Sequence, residues 1–142
     1  MNASIEAKER GIHVIETRDE SIQDYTGSIM LTAKGSLGEH SVSGALLGHH
    51  EMRIISIDEF PVNVPPSQYM LFTLHRDMPG IIGRIGSLLG DLNVNIASMQ
   101  VGRKIVRGDA LMVLTMDDPL PENTVAEITK VAGIRDAYTV TL

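Results

Sequence analysis

Six aliphatic residues, Ile81, Ile82, Ile85, Leu88, Leu89 and Leu92, recur at i, i+1, i+4, i+7, i+8 and i+11. That spacing is the apolar stripe of an amphipathic helix, and what flanks it constrains the fold. "YMLFTLH" (69–75) before it reads as a strand, and "NIASMQVGR" (95–103) after it as a second. "RKIVRGD" makes a hairpin connection, and "ALMVLTM" (110–116) is a near-continuous apolar strand suited to a sheet centre. "PENTVAEITKVAG" (121–133) has Pro121 near its first turn, Val125, Ile128, Val131 and Ala132 on one face, and Gly133 at its end. This predicts a second helix. "AYTVTL" alternates and closes the chain as a strand. The order β-α-β-β-α-β predicts a ferredoxin-like split βαβ unit, an α+β fold with two helices on one face of a four-stranded antiparallel sheet. Such a layout leaves the other face or the edge strands open. A symmetric dimer is the expected way to cover them.

Upstream, "PVNVPPS" (61–67) reads as a linker, because Pro65-Pro66 continues neither a helix nor a central strand. This sets a boundary near residue 66, with units 1–66 and 67–142. In the first unit "ASIEAKERG" favours a helix ended by Gly11, and "IHVIE" (12–16) alternates toward a strand. "SIMLTAKGSL" and "HSVSGALLG" read as two strands around a turn at Gly35 to Gly38, and "MRIISIDEF" (52–60) as a fourth strand. The result is a partial helix-plus-antiparallel-sheet domain, with nothing ahead of its helix to cover the sheet.

Composition removes several function classes. There is no Cys, so disulfide frameworks, thiol nucleophiles, Fe–S clusters and Cys-zinc sites are excluded. No apolar run approaches membrane-spanning length and no signal-peptide core is present, so a cytoplasmic protein without membrane contact is expected. The net charge of −6 argues against nucleic acid. Arg103, Lys104 and Arg107 form a small basic cluster without an aromatic, which reads as a solvated hairpin. His49-His50-Glu51 lacks the H-E-x-x-H spacing of a zinc helix. Ser41, Ser43 and Ser98 lack a nucleophile elbow. No Rossmann fingerprint is present, so no NAD site is expected here. No catalytic residue and no metal ligand are assigned.

The stretch "HRDMPGIIGRIGSLLGDLNVNIASM" (75–99) carries the candidate site. Pro79-Gly80 permits a tight reversal into the helix. The first helical amides, Gly80 to Ile82, then have no intrahelical acceptor and with the helix dipole attract a carboxylate. Asp77 suits an ammonium group, or serves as a turn or cap residue. His75 and Asn95 offer mixed donors and acceptors, or are strand-end and turn residues. Convergence of His75, Asp77, Pro79, Gly80, Ile81, Ile82 and Asn95 on one small zwitterion is expected, with Asn93 in a left-handed turn. Gly83, Gly86 and Gly90 match no phosphate-loop spacing and read as close helix packing.

The same stretch resembles an ACT domain, the amino-acid-sensing module, by its D-x-P-G-x-(I/L)-(G/A) signature and its N-I at the second strand. "NASIEAKERGIHVIE" (2–16), "GALLGHHEMRIISIDEFPVNVPPSQYMLFTLHRDMPGIIG" (44–83) and "GDALMVLTMDDPLPENTVAEI" (108–128) resemble the C-terminal half of long-type bacterial D-3-phosphoglycerate dehydrogenases. The resemblance covers nearly the whole chain. It implies an intervening, allosteric substrate-binding domain ahead of the ACT domain. It also implies L-serine, or another small amino acid, bound between two ACT domains as a feedback inhibitor of serine biosynthesis. By position, His75, Asp77 and Asn95 fall on the serine-contacting residues. The resemblance further implies a fragment: the parent oxidoreductase's nucleotide-binding and catalytic domains, with their NAD, and the early part of the intervening domain are absent. Lys8, Arg10 and Arg53 are the candidates for that domain's anion site. A homodimer through the ACT domains is expected, with a tetramer open to the parent. Two alternatives stand: a purely structural oligomerisation module, and the ACT-containing part of an L-serine dehydratase. "AKERGI" and the absence of a "GPSSSHTAG"-like segment favour the dehydrogenase.

Overall fold

The computed structural model describes residues 2–17, 27–36, 38–48 and 50–142. The elements run α1 (Ala3–Glu9), β1 (Ser28–Gly35), β2 (Gly38–Leu47), β3 (Glu51–Ile57), β4 (Phe60–Val64), β5 (Tyr69–Arg76), α2 (Ile81–Asp91), β6 (Ile96–Arg103), β7 (Asp109–Met116), α3 (Thr124–Ile128) and β8 (Ile134–Thr141). Strands β1-β2-β3-β4 form one antiparallel meander. The second sheet has the order β6-β7-β5-β8, antiparallel throughout, which is the ferredoxin-like arrangement.

One face of the second sheet is covered by helices. Ile81, Ile85 and Leu89 of α2 and Ile128 of α3 pack with Leu71, Met112 and Leu114. The opposite face is not open, as the sequence suggested. Phe60, Val62 and Val64 of β4, with Ile57, cover Met70, Phe72, Leu111 and Val113. The two halves of the chain therefore share one apolar cluster. Among the described residues, the outer sides of the edge strands β6 and β8 carry no ladder partner.

Residues 60–64, read as strand end and linker, thus form a strand. Pro61 is tolerated because β4 is an edge strand, where a missing N–H costs no ladder bond. "MRIISIDEF" splits into β3 and β4 because Asp58 (φ +47) and Glu59 (φ +63) make a two-residue turn with both centres left-handed. The Asp58 carboxylate stabilises that turn by accepting from the Ser41 N–H at 2.7 Å. "IHVIE" is not a strand. The Ile12 N–H instead returns to Ala7 O at 2.8 Å, and Ile12, Val14 and Ile15 are exposed. The second helix is much shorter than expected: Asn123 (φ +66) holds its start at Thr124, and it ends at Ile128, where the Lys130 and Val131 amides turn to the i−3 carbonyls of Glu127 and Ile128 ahead of the left-handed Gly133. Leu37 and His49, part of the sequence readings, lie outside the described residues.

Gly83, Gly86 and Gly90 do not mediate close packing: a Cβ at any of them would meet nothing within 4 Å. A glycine that does so against backbone is Gly102 on β6. A Cβ there would overlap the Pro61 carbonyl oxygen and lie 3.0 Å from the Val62 side chain. Gly102→Ala should therefore cost about 1–3 kcal/mol through overpacking against backbone. Gly83→Ala should gain up to about 1 kcal/mol from helix propensity alone. Urea denaturation checks both, as opposite shifts of the midpoint at unchanged slope.

Candidate functional site

The end of β5 and the start of α2 form a turn clamped from both sides. The Arg76 N–H donates to Gly133 O and the Asp77 N–H to Gly108 O, each at 2.8 Å. Gly133 (φ +98) lies so close that a Cβ would sit 2.9 Å from both Met78 Sδ and Ile81 Cδ1. Arg84 Nη1 donates to Ala132 O at 3.2 Å, tying the first turn of α2 to the same loop. Gly80 adopts φ +88, a left-handed conformation that a side chain would strain. No side chain caps α2 and no acidic residue stands in its first turn. The Ile82 and Gly83 amides thus have no acceptor within the helix, and the Ile82 side chain beside them is 51% exposed.

Asp77 is engaged. Its Oδ2 accepts from the Arg107 backbone N–H and from Arg103 Nη1, both at 3.0 Å. The Arg107 N–H first, and the Arg103 guanidinium second, hold its carboxyl below the usual 3.8. The cluster read as a solvated hairpin is thus the partner of the site's carboxylate. The strand order explains why: β6 ends and β7 begins level with the end of β5, since Arg103 and His75 both pair with Ala110.

His75 is not a surface residue; it is 1% exposed. Its Nδ1 lies 3.3 Å from Thr73 O. A carbonyl only accepts, so in the neutral ring Nδ1 carries the hydrogen and Nε2 keeps a lone pair. Burial pushes the imidazole pKa below 6.5, against the Thr73 carbonyl and the charge of Asp77.

Asn95 does not converge with these residues within one chain. It precedes β6, whose Ile96 pairs with Met116 at the level of Tyr69, the first residue of β5. His75 pairs with Ala110, six residues along β7, which is about 20 Å at the usual strand rise. The helix crossover returns the chain to the starting end, so β5 and β6 run parallel and their matching ends coincide. The Asn95 carboxamide donates instead to Asp117. Asn93 has the expected left-handed φ of +56.

In the first half of the chain, Arg10 is neutralised by Glu6 at 2.6 Å and Arg53 by Glu51, while Lys8 is exposed on α1. Among the described residues no three His, Cys, Asp or Glu side chains stand close enough to hold a metal ion. Among the same residues, no helix is long and apolar enough to cross a membrane.

Comparison with known proteins places these features. Residues 69–133 match the ACT domain and residues 1–58 the D-3-phosphoglycerate dehydrogenase intervening domain. The chain is 72% identical over its whole length to a D-3-phosphoglycerate dehydrogenase of Synechocystis sp., covering 26% of that protein. It is 40% identical over 96% of its length to that of Archaeoglobus fulgidus and 37% over 94% to that of Bacillus subtilis, again covering 26% of each. The chain thus spans about a quarter of the length of these relatives, at their C-terminal end.

The buried imidazole gives a pH dependence with a defined sign. Its folded pKa lies below the unfolded 6.5, so the unfolded state takes up the proton first. Its contribution to stability is full above pH 6.5 and is lost as pH falls toward the folded value. Melting temperatures at pH 7.5 and 5.5 should differ less in His75→Asn than in the native chain. An equal slope in both would contradict the assignment of a neutral, buried ring.

Proposed function

The chain belongs to the C-terminal, ACT-bearing region of the D-3-phosphoglycerate dehydrogenase family, and from that premise we propose that it is a regulatory module sensing a free amino acid, L-serine. The ligand carboxylate takes the amides at the uncapped start of α2, and its ammonium group takes Asp77 in place of Arg103. His75 lies beneath this turn, with Nε2 as an acceptor.

The site is completed across a dyad. Among the described residues, edge strand β6 leaves its outer backbone groups without a ladder partner, and a second β6 added antiparallel exchanges the two ends of the strand. Asn95 of the partner subunit then stands level with Arg103, and so with the β5–α2 turn. The supporting observation is this match: an uncapped helix start beside a carboxylate at one end of β6, and the site's remaining polar residue at the other. In the dehydrogenase of which this region forms part, occupancy of the dyad slows NAD-dependent oxidation of phosphoglycerate. The chain itself turns over nothing. Coupling of this kind is typically about 1–3 kcal/mol, a change of several-fold to a hundredfold.

A structural oligomerisation module is the second reading, favoured by one observation: Asp77 is already satisfied by Arg103 and Arg107. Calorimetric titration separates the two. Saturable binding of L-serine is expected, with D-serine and glycine markedly weaker. Asn95→Ala should weaken it about tenfold, the worth of one hydrogen bond, while sedimentation still reports a dimer. No binding at millimolar L-serine favours the structural module.

A further inference from the structure

The side chains of β6 alternate between two tasks. On the face toward the first half of the chain, Gln100 Oε1 accepts from the Asn63 N–H at 2.7 Å. Gly102 sits against the Pro61 carbonyl. Just beyond the strand, Lys104 Nζ lies 2.7 Å from Glu59 Oε2 and 4.8 Å from the centre of the Phe60 ring. Residues 100, 102 and 104 thus meet residues 63, 61 and 59 in regular antiparallel steps. Arg103, the intervening residue, holds Asp77, and the connection that follows it donates the Arg107 N–H to the same carboxylate. The Asp77 N–H in turn donates to Gly108 O. Five residues, 104–108, therefore lie between the site's carboxylate and the β3–β4 turn.

We propose that this connection transmits the state of the Asp77 turn to the first half of the chain, with Lys104 as the positioning residue. The inference rests on the reading of that turn as a ligand site and supplies its output. When a ligand ammonium takes Asp77 in place of Arg103, the connection loses the side-chain half of its clamp and keeps only the Arg107 amide. The connection then shifts. Lys104 draws Glu59 and Phe60 with it, because one ammonium both pairs with the carboxylate and lies over the ring. Phe60 is buried among Met70, Phe72, Leu111 and Val113, so the displacement enters the cluster both halves share. Both ion pairs are solvent-accessible, with the Arg103 and Lys104 side chains 53% and 43% exposed. Water can replace either partner, as a device that must switch requires.

Backbone amide NMR spectra of the chain test this without and with ligand. In the ligand-free arm, Asp77→Asn loosens the clamp directly. It should shift the signals of residues 104–108 and also those of Glu59, Phe60 and Val62, the amides that flank Pro61. In the double variant Asp77→Asn, Lys104→Met the first set should still move and the second should not. Glu59→Gln should block the same transfer from the other side. In the second arm L-serine is the probe. It should shift the amides of Glu59, Phe60 and Val62 in the native chain, and Lys104→Met should abolish that response at an unchanged dissociation constant read from the amides of residues 75–78 and Gly80. The inference is overturned if Asp77→Asn leaves the amides of Glu59, Phe60 and Val62 unmoved, or if Lys104→Met leaves their response intact. Absence of any response to L-serine at residues 75–78 and Gly80 sinks the ligand reading instead, and the ligand-free arm still decides the coupling.

Discussion

Strand β7 is buried along almost all its length, from Ala110 to Met116, and that requirement organises the molecule. Met112 and Leu114 face the helices, whereas Leu111 and Val113 face β4. A strand apolar on both sides needs a cover on each. Burying one large aliphatic side chain is worth about 1.5–3 kcal/mol. Leaving Met70, Phe72, Leu111 and Val113 to water would therefore cost on the order of 5–10 kcal/mol, comparable to the whole stability of a typical domain. The first half of the chain is thus not an appendage to the ferredoxin-like unit. Through Phe60, Val62 and Val64 it forms the second wall of that unit's core.

This also explains which parts of the fold could be read in advance. The period of α2 and the unbroken run of β7 are strong local signals, and the β-α-β-β-α-β order follows from them. The wall strand was visible in principle, since "FPVNV" alternates Phe60, Val62 and Val64. Pro65-Pro66 just beyond it argues for a linker, and only the sheet order reveals that β4 is an edge where Pro61 is harmless. The apolar spacing at Val125, Ile128 and Val131 carries no sign of the left-handed Asn123 that delays the second helix, nor of the tightened turn at Lys130 and Val131 that ends it early.

At the site, the turn chemistry was legible and the assembly was not. Pro79, the left-handed Gly80 and the bare first turn of α2 follow from local rules. Two other features depend on topology. A β-α-β crossover makes its strands parallel, which sends Asn95 to the far end from His75. The order β6-β7-β5 brings Arg103 and Arg107 to Asp77, a pairing that no spacing in the sequence announces. Composition alone made those arginines look like a solvated hairpin.

Together these placements give β6 three neighbours with three consequences. Its front face belongs to the helix-side core, its back face lies against β4, and its outer edge is the surface the proposed dyad would use. A strand tied on both faces cannot slide without disturbing both. The close approach at Gly102 removes the slack that a side chain would need to accommodate movement. An event at the end of β6, where Arg103 meets Asp77, therefore has few ways to stay local. A loop packed against nothing would absorb it. The connection at 104–108 is instead anchored to Glu59 and Phe60, and Phe60 reaches the core. The proposed sensing and transmission would then require no separate mechanical element, because the strand that frames the turn also holds the wall in place.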